Sequence, residues 1–388
     1  MSTLDPSDFV GIDAALDDEE RLTRDTVRDF LRGEVADQLP DAYENAYLPE
    51  GFPKAAGQLG LLGMHLQGYG CAGTSAVAYG LACQELEAAD SGLRSFVSVQ
   101  GSLAMFAIHR FGSEAQREQW LPQMATGEAV GCFGLTEPDA GSDPSGMRTT
   151  ARRDGDGGVL NGTKMWITNG GMAAVAVVWA RTDDGVRGFL VPRGTPGFST
   201  RDVGHKLSLR ASTTSELAFE DCRLPDEARL PEATSLRAPL SCLDEARFGI
   251  LWGVVGAARA CYEAALEYSG TRTVFGRPLS SFQLTQEKLV EMLTRLTSSQ
   301  LLALQLGKLK DAGQLRPEQV SLGKLVNVRN ALETARSART VLAANGITLE
   351  YPVMRHMNNL ESVLTYEGTS EVHTLVLGKA ITGQNAFA

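Results

Sequence analysis

The chain has 388 residues, of which 43% are hydrophobic and 21% are charged, and its formal net charge is −11. This length can bury a sizeable core and predicts two or three domains, while the negative charge argues against a general basic surface for nucleic acid or anionic membrane. An anionic substrate therefore has to be met by local Arg and Lys side chains.

The beginning of the chain is acidic and polar, unlike a signal peptide, and no apolar run approaches the ~18 residues of a membrane-spanning helix. We therefore expect a cytoplasmic protein. The cysteines form no C-x-x-C pair and have no His at ligand spacing, so we expect buried free thiols and no metal site.

Residues 1–130 have the pattern of a helical domain. Leu22, Val27 and Phe30 mark the apolar face of a first helix that begins after the acidic run 17–20, which suits a helix N-terminus. A helix rich in small residues follows at 76–89, and an apolar one at 94–111. Ser113 opens a capping box for the next helix.

Residues 131–240 are richer in glycine and in short β-branched runs. Asn161-Gly162 is expected to form a hairpin turn between Val159-Leu160 and the strand Met165–Thr168. Further strands are expected at 175–180, 188–191 and 215–219. The pattern predicts an antiparallel sheet, as a sandwich or an open barrel, rather than a βαβ domain.

Residues 241–388 return to long helical elements. Leucines at 289, 293, 296, 302, 306 and 309 lie roughly on one stripe, Pro317 can start a helix, and Asn345-Gly346 can end one. Long helices with short links predict a four-helix bundle. The fold class expected for the whole chain is therefore α+β, with a β domain between two helical domains.

Glu367 lies in the segment Tyr366-Glu-Gly-Thr369, between two helical patterns. A carboxylate at an interhelix turn, beside a glycine that lets a ligand approach, suits a general base that removes a carbon-bound proton. A solvated loop acid or a cap for the last helix would have the same local sequence, so the assignment depends on other segments.

The segment Phe133–Asp143 is rich in small and hydroxyl residues and could bring backbone N–H groups close to an anion. It matches neither G-x-G-x-x-G nor a phosphate-binding P-loop. An ordinary surface loop remains an alternative for this segment, and a core Trp remains one for Trp166-Ile-Thr168.

Several segments of the chain together resemble the acyl-CoA dehydrogenase family. They are 135–143, Met165–Thr168, Lys206–Arg210, Arg272–Gly276 and Tyr366–Thr369, with Gln283. The resemblance implies FAD held between the sheet and the C-terminal bundle, with Glu367 as the base. The residues it implies for FAD, some of them reaching a neighbouring subunit, are Phe133, Leu135, Thr136, Gly141, Ser142, Trp166, Ile167, Thr168, Arg272, Phe275, Gln283, Ala343, Ala344 and Thr369. The family usually has Gly-Gly where this chain has Ala343-Ala344, and the added methyls would crowd close backbone contact with FAD.

Arg94 and Ser98 are four residues apart and therefore share a helix face, with Ser95 adjacent and Glu87 upstream as a counter-ion. An Arg in an apolar pocket suits a substrate carboxylate, although an Arg on an exposed face is the alternative. This segment is similar to the branch of the family that acts on glutaryl-CoA.

That resemblance implies oxidative decarboxylation of glutaryl-CoA to crotonyl-CoA, an electron-transfer flavoprotein as electron acceptor, and a homotetramer built as a dimer of dimers. The residues it implies for substrate contact are Glu87, Arg94, Ser95, Ser98, Ser142, Arg247, Tyr366 and Gly368. Two alternatives stay open: another flavoenzyme of this fold, such as a short-chain, biosynthetic or oxygen-reacting one, and a non-catalytic helical assembly protein.

Overall fold

The computed structural model describes residues 4–387. The N-terminal helices are α1 (Asp18–Phe30), α2 (Leu39–Asn45), α3 (Phe52–Gln58), α4 (Ala76–Ala89), α5 (Ser91–Ser98), α6 (Phe106–Phe111) and α7 (Glu114–Ala125).

Short-range signals account for most boundaries in this region. Asp17 and Ser113 begin α1 and α7 with capping boxes, in which the side chain accepts from the third helical N–H. A π-helical stretch at Val99–Met105 joins α5 to α6, so the predicted apolar helix is continuous from Ser91. Leu22, expected on the buried face of α1, is instead 68% exposed.

The middle region contains β1 (Gly131–Gly134), β2 (Thr150–Asp154), β3 (Gly157–Thr168), β4 (Val175–Thr182), β5 (Gly185–Pro192), β6 (Phe198–Asp202) and β7 (Thr214–Pro225). Within residues 131–225 these strands form one seven-stranded sheet in the order β1-β4-β2-β3-β7-β6, with β5 paired to β4. The sheet is mixed rather than purely antiparallel, because β4 pairs in parallel with β1 and β2.

The predicted hairpin turn at Asn161-Gly162 is wrong. Both residues lie inside β3, at a bulge between Leu160 and Gly162 in the pairing with β7. Gly162 has φ 144°, and a Cβ there would lie 2.5 Å from the Thr149 hydroxyl. The side chain of Asn161 accepts from the Asp221 N–H across the bulge. Asn161-Gly162 therefore forms a bulge in the pairing of β3 with β7, and the hairpin turn lies between β2 and β3.

The C-terminal region begins with α8 (Arg237–Thr271), continues through a small hairpin of β8 (Thr273–Val274) and β9 (Arg277–Pro278), and ends with α9 (Gln283–Asp311), α10 (Pro317–Leu342), α11 (Val353–Val363) and α12 (Ser370–Thr382). Helix α8 packs against α4 as well as α10, so one core joins the first and last regions. The predicted α+β fold is confirmed, with a curled β region between two helical ones. No helix in residues 4–387 is long and apolar enough to cross a membrane.

Candidate active site

Glu367 lies in the short connection between α11 and α12. Its backbone is left-handed, with φ 53°, and the next residue, Gly368, has φ 95°. Thr369 begins α12 by accepting from the Val372 N–H at 3.3 Å. A glutamate in this conformation costs free energy on the order of 1–3 kcal/mol, so surrounding contacts must hold it.

The Glu367 side chain is half-buried, and its Oε2 atom is buried without a hydrogen-bond partner in residues 4–387. Burial raises the pKa of Glu367, and the nearby cations Arg94, Lys324 and Arg247 oppose that rise. A desolvated carboxylate with an unused oxygen and a raised pKa has the properties of a general base.

Arg94 lies beneath this loop, on α5, and is 0% exposed. Its Nε donates to Glu87 Oε2 at 2.7 Å, and its Nη2 donates to the Tyr366 hydroxyl. Its Nη1 has no partner in the described chain, and the same holds for Ser98 Oγ and Glu87 Oε1. A buried guanidinium with a spare N–H group is prepared to bind one further anionic or polar group.

The helix that carries Arg94 is anchored at its start. Asp90 caps α5 by accepting from the Gly92 N–H at 2.6 Å, and it also accepts from Arg355 at 2.5 Å and Asn359 at 3.0 Å, both on α11. The helix preceding Glu367 therefore also fixes the helix that bears Arg94.

Residues predicted for the flavin meet at one side of the sheet. The Met165 N–H donates to the Thr136 carbonyl at 2.9 Å, which brings the two predicted segments together. Trp166 sits in a second bulge of β3, with φ 64°, and its side chain is 58% exposed. An exposed indole on the strand segment that bonds to Thr136 fits the flat polar edge of FAD. The side chain of Ile167 belongs to the sheet core, which leaves its backbone for any cofactor contact.

The remaining predicted cofactor residues differ in their exposure. Phe133 and Leu135 are buried beside the sheet, whereas Gly141 and Ser142 are exposed in the following loop. Arg272, Phe275 and Gln283 are also exposed, and Phe275, at the turn between β8 and β9, is 97% exposed.

Ala343 ends α10 with φ 52° and ψ −126°, a conformation that favours glycine. Ala343 and Ala344 are both exposed. At position 343 the methyl group that replaces the family's usual glycine hydrogen therefore strains the backbone.

Arg247 has a different set of contacts from the predicted one with CoA. Its Nε donates to the Glu367 carbonyl at 2.8 Å, and its Nη1 pairs with Asp244 at 2.9 Å. The predicted contact of Arg247 with CoA stays a prediction.

Sequence reasoning missed three residues of this site. Gly253 on α8 leaves room for the buried ion pair, since a Cβ there would lie 2.2 Å from Glu87 Oε2. His373 is buried under Gly368, and burial lowers its pKa to about 3. Lys324 is buried on α10 against the Glu367 loop. The sequence feature that could have identified Lys324 is its position on the apolar stripe of α10, between Val320 and Val328.

Three family models match the chain in order: the acyl-CoA dehydrogenase N-terminal domain over residues 17–128, the middle domain over 132–222, and the C-terminal domain over 236–382. The chain belongs to the acyl-CoA dehydrogenase family. The family resemblance of the motifs is thereby confirmed. Members of this family are FAD-dependent, so this chain is an FAD-dependent acyl-CoA dehydrogenase, and the predicted enzyme class and cofactor are confirmed as well.

The chain is similar to a solved glutaryl-CoA dehydrogenase from Mycobacterium smegmatis, with 63% identity, a TM-score of 0.98 and full coverage of both chains. A second glutaryl-CoA dehydrogenase structure from that organism, in complex with FADH2, is 60% identical with the same TM-score and coverage. Among curated proteins, the short-chain specific acyl-CoA dehydrogenase of Mus musculus is 36% identical over 369 residues, covering 93% of this chain and 90% of that protein.

Proposed function

We propose that this acyl-CoA dehydrogenase oxidatively decarboxylates glutaryl-CoA to crotonyl-CoA and CO2. The observation that carries the proposal is Arg94, fully buried beneath the Glu367 loop with an Nη1 group that has no partner in residues 4–387. A substrate with only an apolar acyl chain would leave that N–H group unsatisfied. A substrate with a second carboxylate would give it a charge-assisted hydrogen bond.

The pair of Glu87 and Arg94 keeps this site from binding the substrate carboxylate too tightly. Glu87 already neutralises the guanidinium, and the Tyr366 hydroxyl already takes one of its N–H groups. A carboxylate that shares the cation can lose CO2 with less ground-state stabilisation to overcome than one held in an exclusive ion pair.

Glu367 supplies the proton chemistry. Its desolvated carboxylate removes the α-proton next to the thioester, and the raised pKa makes it a stronger base. FAD, when bound, would supply the two-electron acceptor for the hydride that leaves the β-carbon. The resulting unsaturated product, glutaconyl-CoA, loses CO2 from its terminal carboxylate, and the protonated Glu367 returns its proton to the γ-carbon to give crotonyl-CoA.

The second candidate is a short-chain acyl-CoA dehydrogenase, which the curated relatives favour by their names. A butyryl chain fits the same base and the same cofactor. It offers nothing, however, to the buried Arg94 and Ser98 groups, so the substrate preference between glutaryl-CoA and butyryl-CoA separates the two candidates.

Two further parts of the proposal concern partners. We propose a homotetramer, supported by Phe275, which is 97% exposed beside the exposed Arg272 on a small hairpin. We also propose an electron-transfer flavoprotein as the acceptor that reoxidises the cofactor. Mass photometry of the wild-type chain and of Phe275→Ser tests the first, and reduction of a purified electron-transfer flavoprotein tests the second.

The test of the base is anaerobic titration of the FAD-loaded enzyme with glutaryl-CoA and butyryl-CoA, monitored by flavin absorbance. Glu367→Gln should keep its FAD and bind both acyl-CoA molecules, while flavin reduction slows by at least the ~10²-fold expected for a lost general base. Near wild-type reduction in that variant would place the base elsewhere.

A further inference from the structure

Lys324 is an unusual residue for its position. It lies in the middle of α10 and is 1% exposed. Its Nζ donates to the Tyr366 carbonyl at 2.5 Å and to the Gly368 carbonyl at 2.6 Å. These are the carbonyls of the residues on either side of Glu367. Burying an ammonium group is costly, so a lysine is expected there only if its contacts serve a purpose.

The carbonyl between them is also bound by a cation. Arg247 on α8 donates from Nε to the Glu367 carbonyl at 2.8 Å. Three consecutive carbonyls, from residues 366 to 368, therefore point at two basic side chains from two different helices. Such contacts can hold the left-handed Glu367 and Gly368 backbone, with φ values of 53° and 95°, which an unrestrained loop would leave.

Lys324 differs from the other cations around the carboxylate. Arg94 on α5 is paired with Glu87, and Arg247 is paired with Asp244. Within residues 4–387 the Lys324 ammonium donates only to the two carbonyl oxygens. His373 on α12 also faces this loop, but burial lowers its pKa to about 3 and keeps it neutral near pH 7. The positive charge that is not already neutralised near Glu367 is therefore that of Lys324.

We propose that Lys324 is a positioning residue that holds the base loop through the carbonyls of Tyr366 and Gly368 and favours the ionised form of Glu367. This inference rests on the proposed role of Glu367 as the base. In this role, Lys324 acts through the Glu367 loop and touches neither the substrate nor the cofactor.

The charge of Lys324 lowers the pKa of Glu367 against the effect of burial. Burial lowers the pKa of Lys324 itself, the charge of Glu367 opposes that shift, and repulsion from Arg247 and Arg94 adds to it. Because Glu367 acts as the carboxylate, loss of the Lys324 charge should raise the pKa of the base. The acid limb of the pH profile for flavin reduction should then move to higher pH.

The test compares Lys324→Met with Lys206→Met in the FAD-loaded enzyme. Lys206 is a matched control, because its ammonium also donates to two backbone carbonyls, those of Leu209 and Ser212, in a loop of the β region. The rate constant of flavin reduction is measured across pH with saturating acyl-CoA. In Lys324→Met the limiting rate should fall about 10- to 100-fold through misplacement of the base. The acid midpoint should rise by about one pH unit.

Lys324→Gln separates geometry from charge and covers the case in which the Met variant does not fold. Its amide can still donate to both carbonyls, so the limiting rate should recover partly while the raised midpoint remains. A wild-type midpoint in both Lys324 variants, or the same shift in Lys206→Met, would overturn the inference. Failure of the base assignment would show separately, as rapid flavin reduction in Glu367→Gln.

Discussion

Replacing Arg94 with Met should change which acyl-CoA the enzyme prefers. The substitution keeps an unbranched apolar side chain on α5 and removes the guanidinium that bonds Glu87 and Tyr366. Butyryl-CoA has no group for that guanidinium, whereas glutaryl-CoA carries a second carboxylate. The loss should therefore fall on glutaryl-CoA.

The magnitude follows from the burial of the site. Removing one partner of a buried, hydrogen-bonded charge pair costs about 2–5 kcal/mol. At about 1.4 kcal/mol for each factor of ten, kcat/KM for glutaryl-CoA should fall by roughly 30- to 4,000-fold. The value for butyryl-CoA should change by less than about tenfold.

Arg94→Met should also lower the free energy of unfolding, so the experiment needs a control for stability. It leaves Glu87, which is also 0% exposed, as an unpaired buried carboxylate, and this destabilises the fold by about 3–5 kcal/mol. The double variant Arg94→Met, Glu87→Gln removes both charges and should recover most of that stability without recovering glutaryl-CoA turnover.

The assay is anaerobic stopped-flow reduction of the flavin by each substrate, with urea unfolding of the same variants. A ratio of the two kcat/KM values equal to that of the wild type would show that Arg94 does not touch the acyl end, and the reasoning would be refuted.

Three other changes test separate features of the chain. Ala343→Gly should raise the free energy of unfolding by about 1 kcal/mol, because backbone strain of about 1–3 kcal/mol exceeds the entropic cost of glycine; urea unfolding of the FAD-loaded protein measures this, and lower stability would contradict it. Tyr366→Phe removes the hydroxyl that shares Arg94, so a larger fraction of glutaconyl-CoA should escape, and an unchanged product ratio by mass analysis would exclude a role for that hydroxyl. Burial lowers the pKa of His356 and His373 to about 3, so the unfolded state binds more protons than the folded state below about pH 6.5. The free energy of unfolding should therefore fall by about 1.6 kcal/mol per histidine from pH 6.5 to 5, and a flat profile would show that neither is buried as a neutral ring.

Local patterns predicted most of the fold. The capping box at Ser113 and the start of α10 at Pro317 depend on residues within one helical turn, so the sequence predicts them directly. The capping box at Asp17 was not predicted, since the first helix was expected to begin after the acidic run. The Asn161-Gly162 bulge could not, because it is defined by pairing with β7, which lies about sixty residues later in the chain. The parallel pairing of β1 with β4 is likewise a long-range property.

The candidate site also contains residues that local patterns predict and residues that depend on long-range contacts. The motif around Tyr366 predicts Glu367, and the four-residue spacing of a helix face predicts Arg94. The structure brings Arg94 to the Glu367 loop through its hydrogen bond to the Tyr366 hydroxyl. Lys324 escaped prediction because its acceptors lie 42 and 44 residues away. A lysine on the apolar stripe of a helix is an unusual pattern, but its meaning depends on contacts that only the fold supplies.

The central claim is that the enzyme removes two electrons and one CO2 from glutaryl-CoA. The most direct measurement is mass analysis of the acyl-CoA products, together with trapping of labelled CO2, from glutaryl-CoA carrying the label in its terminal carboxyl group and an artificial electron acceptor. We expect crotonyl-CoA and labelled CO2 in equal amounts. Stoichiometric glutaconyl-CoA with the label retained, or no turnover while butyryl-CoA is oxidised, would contradict it.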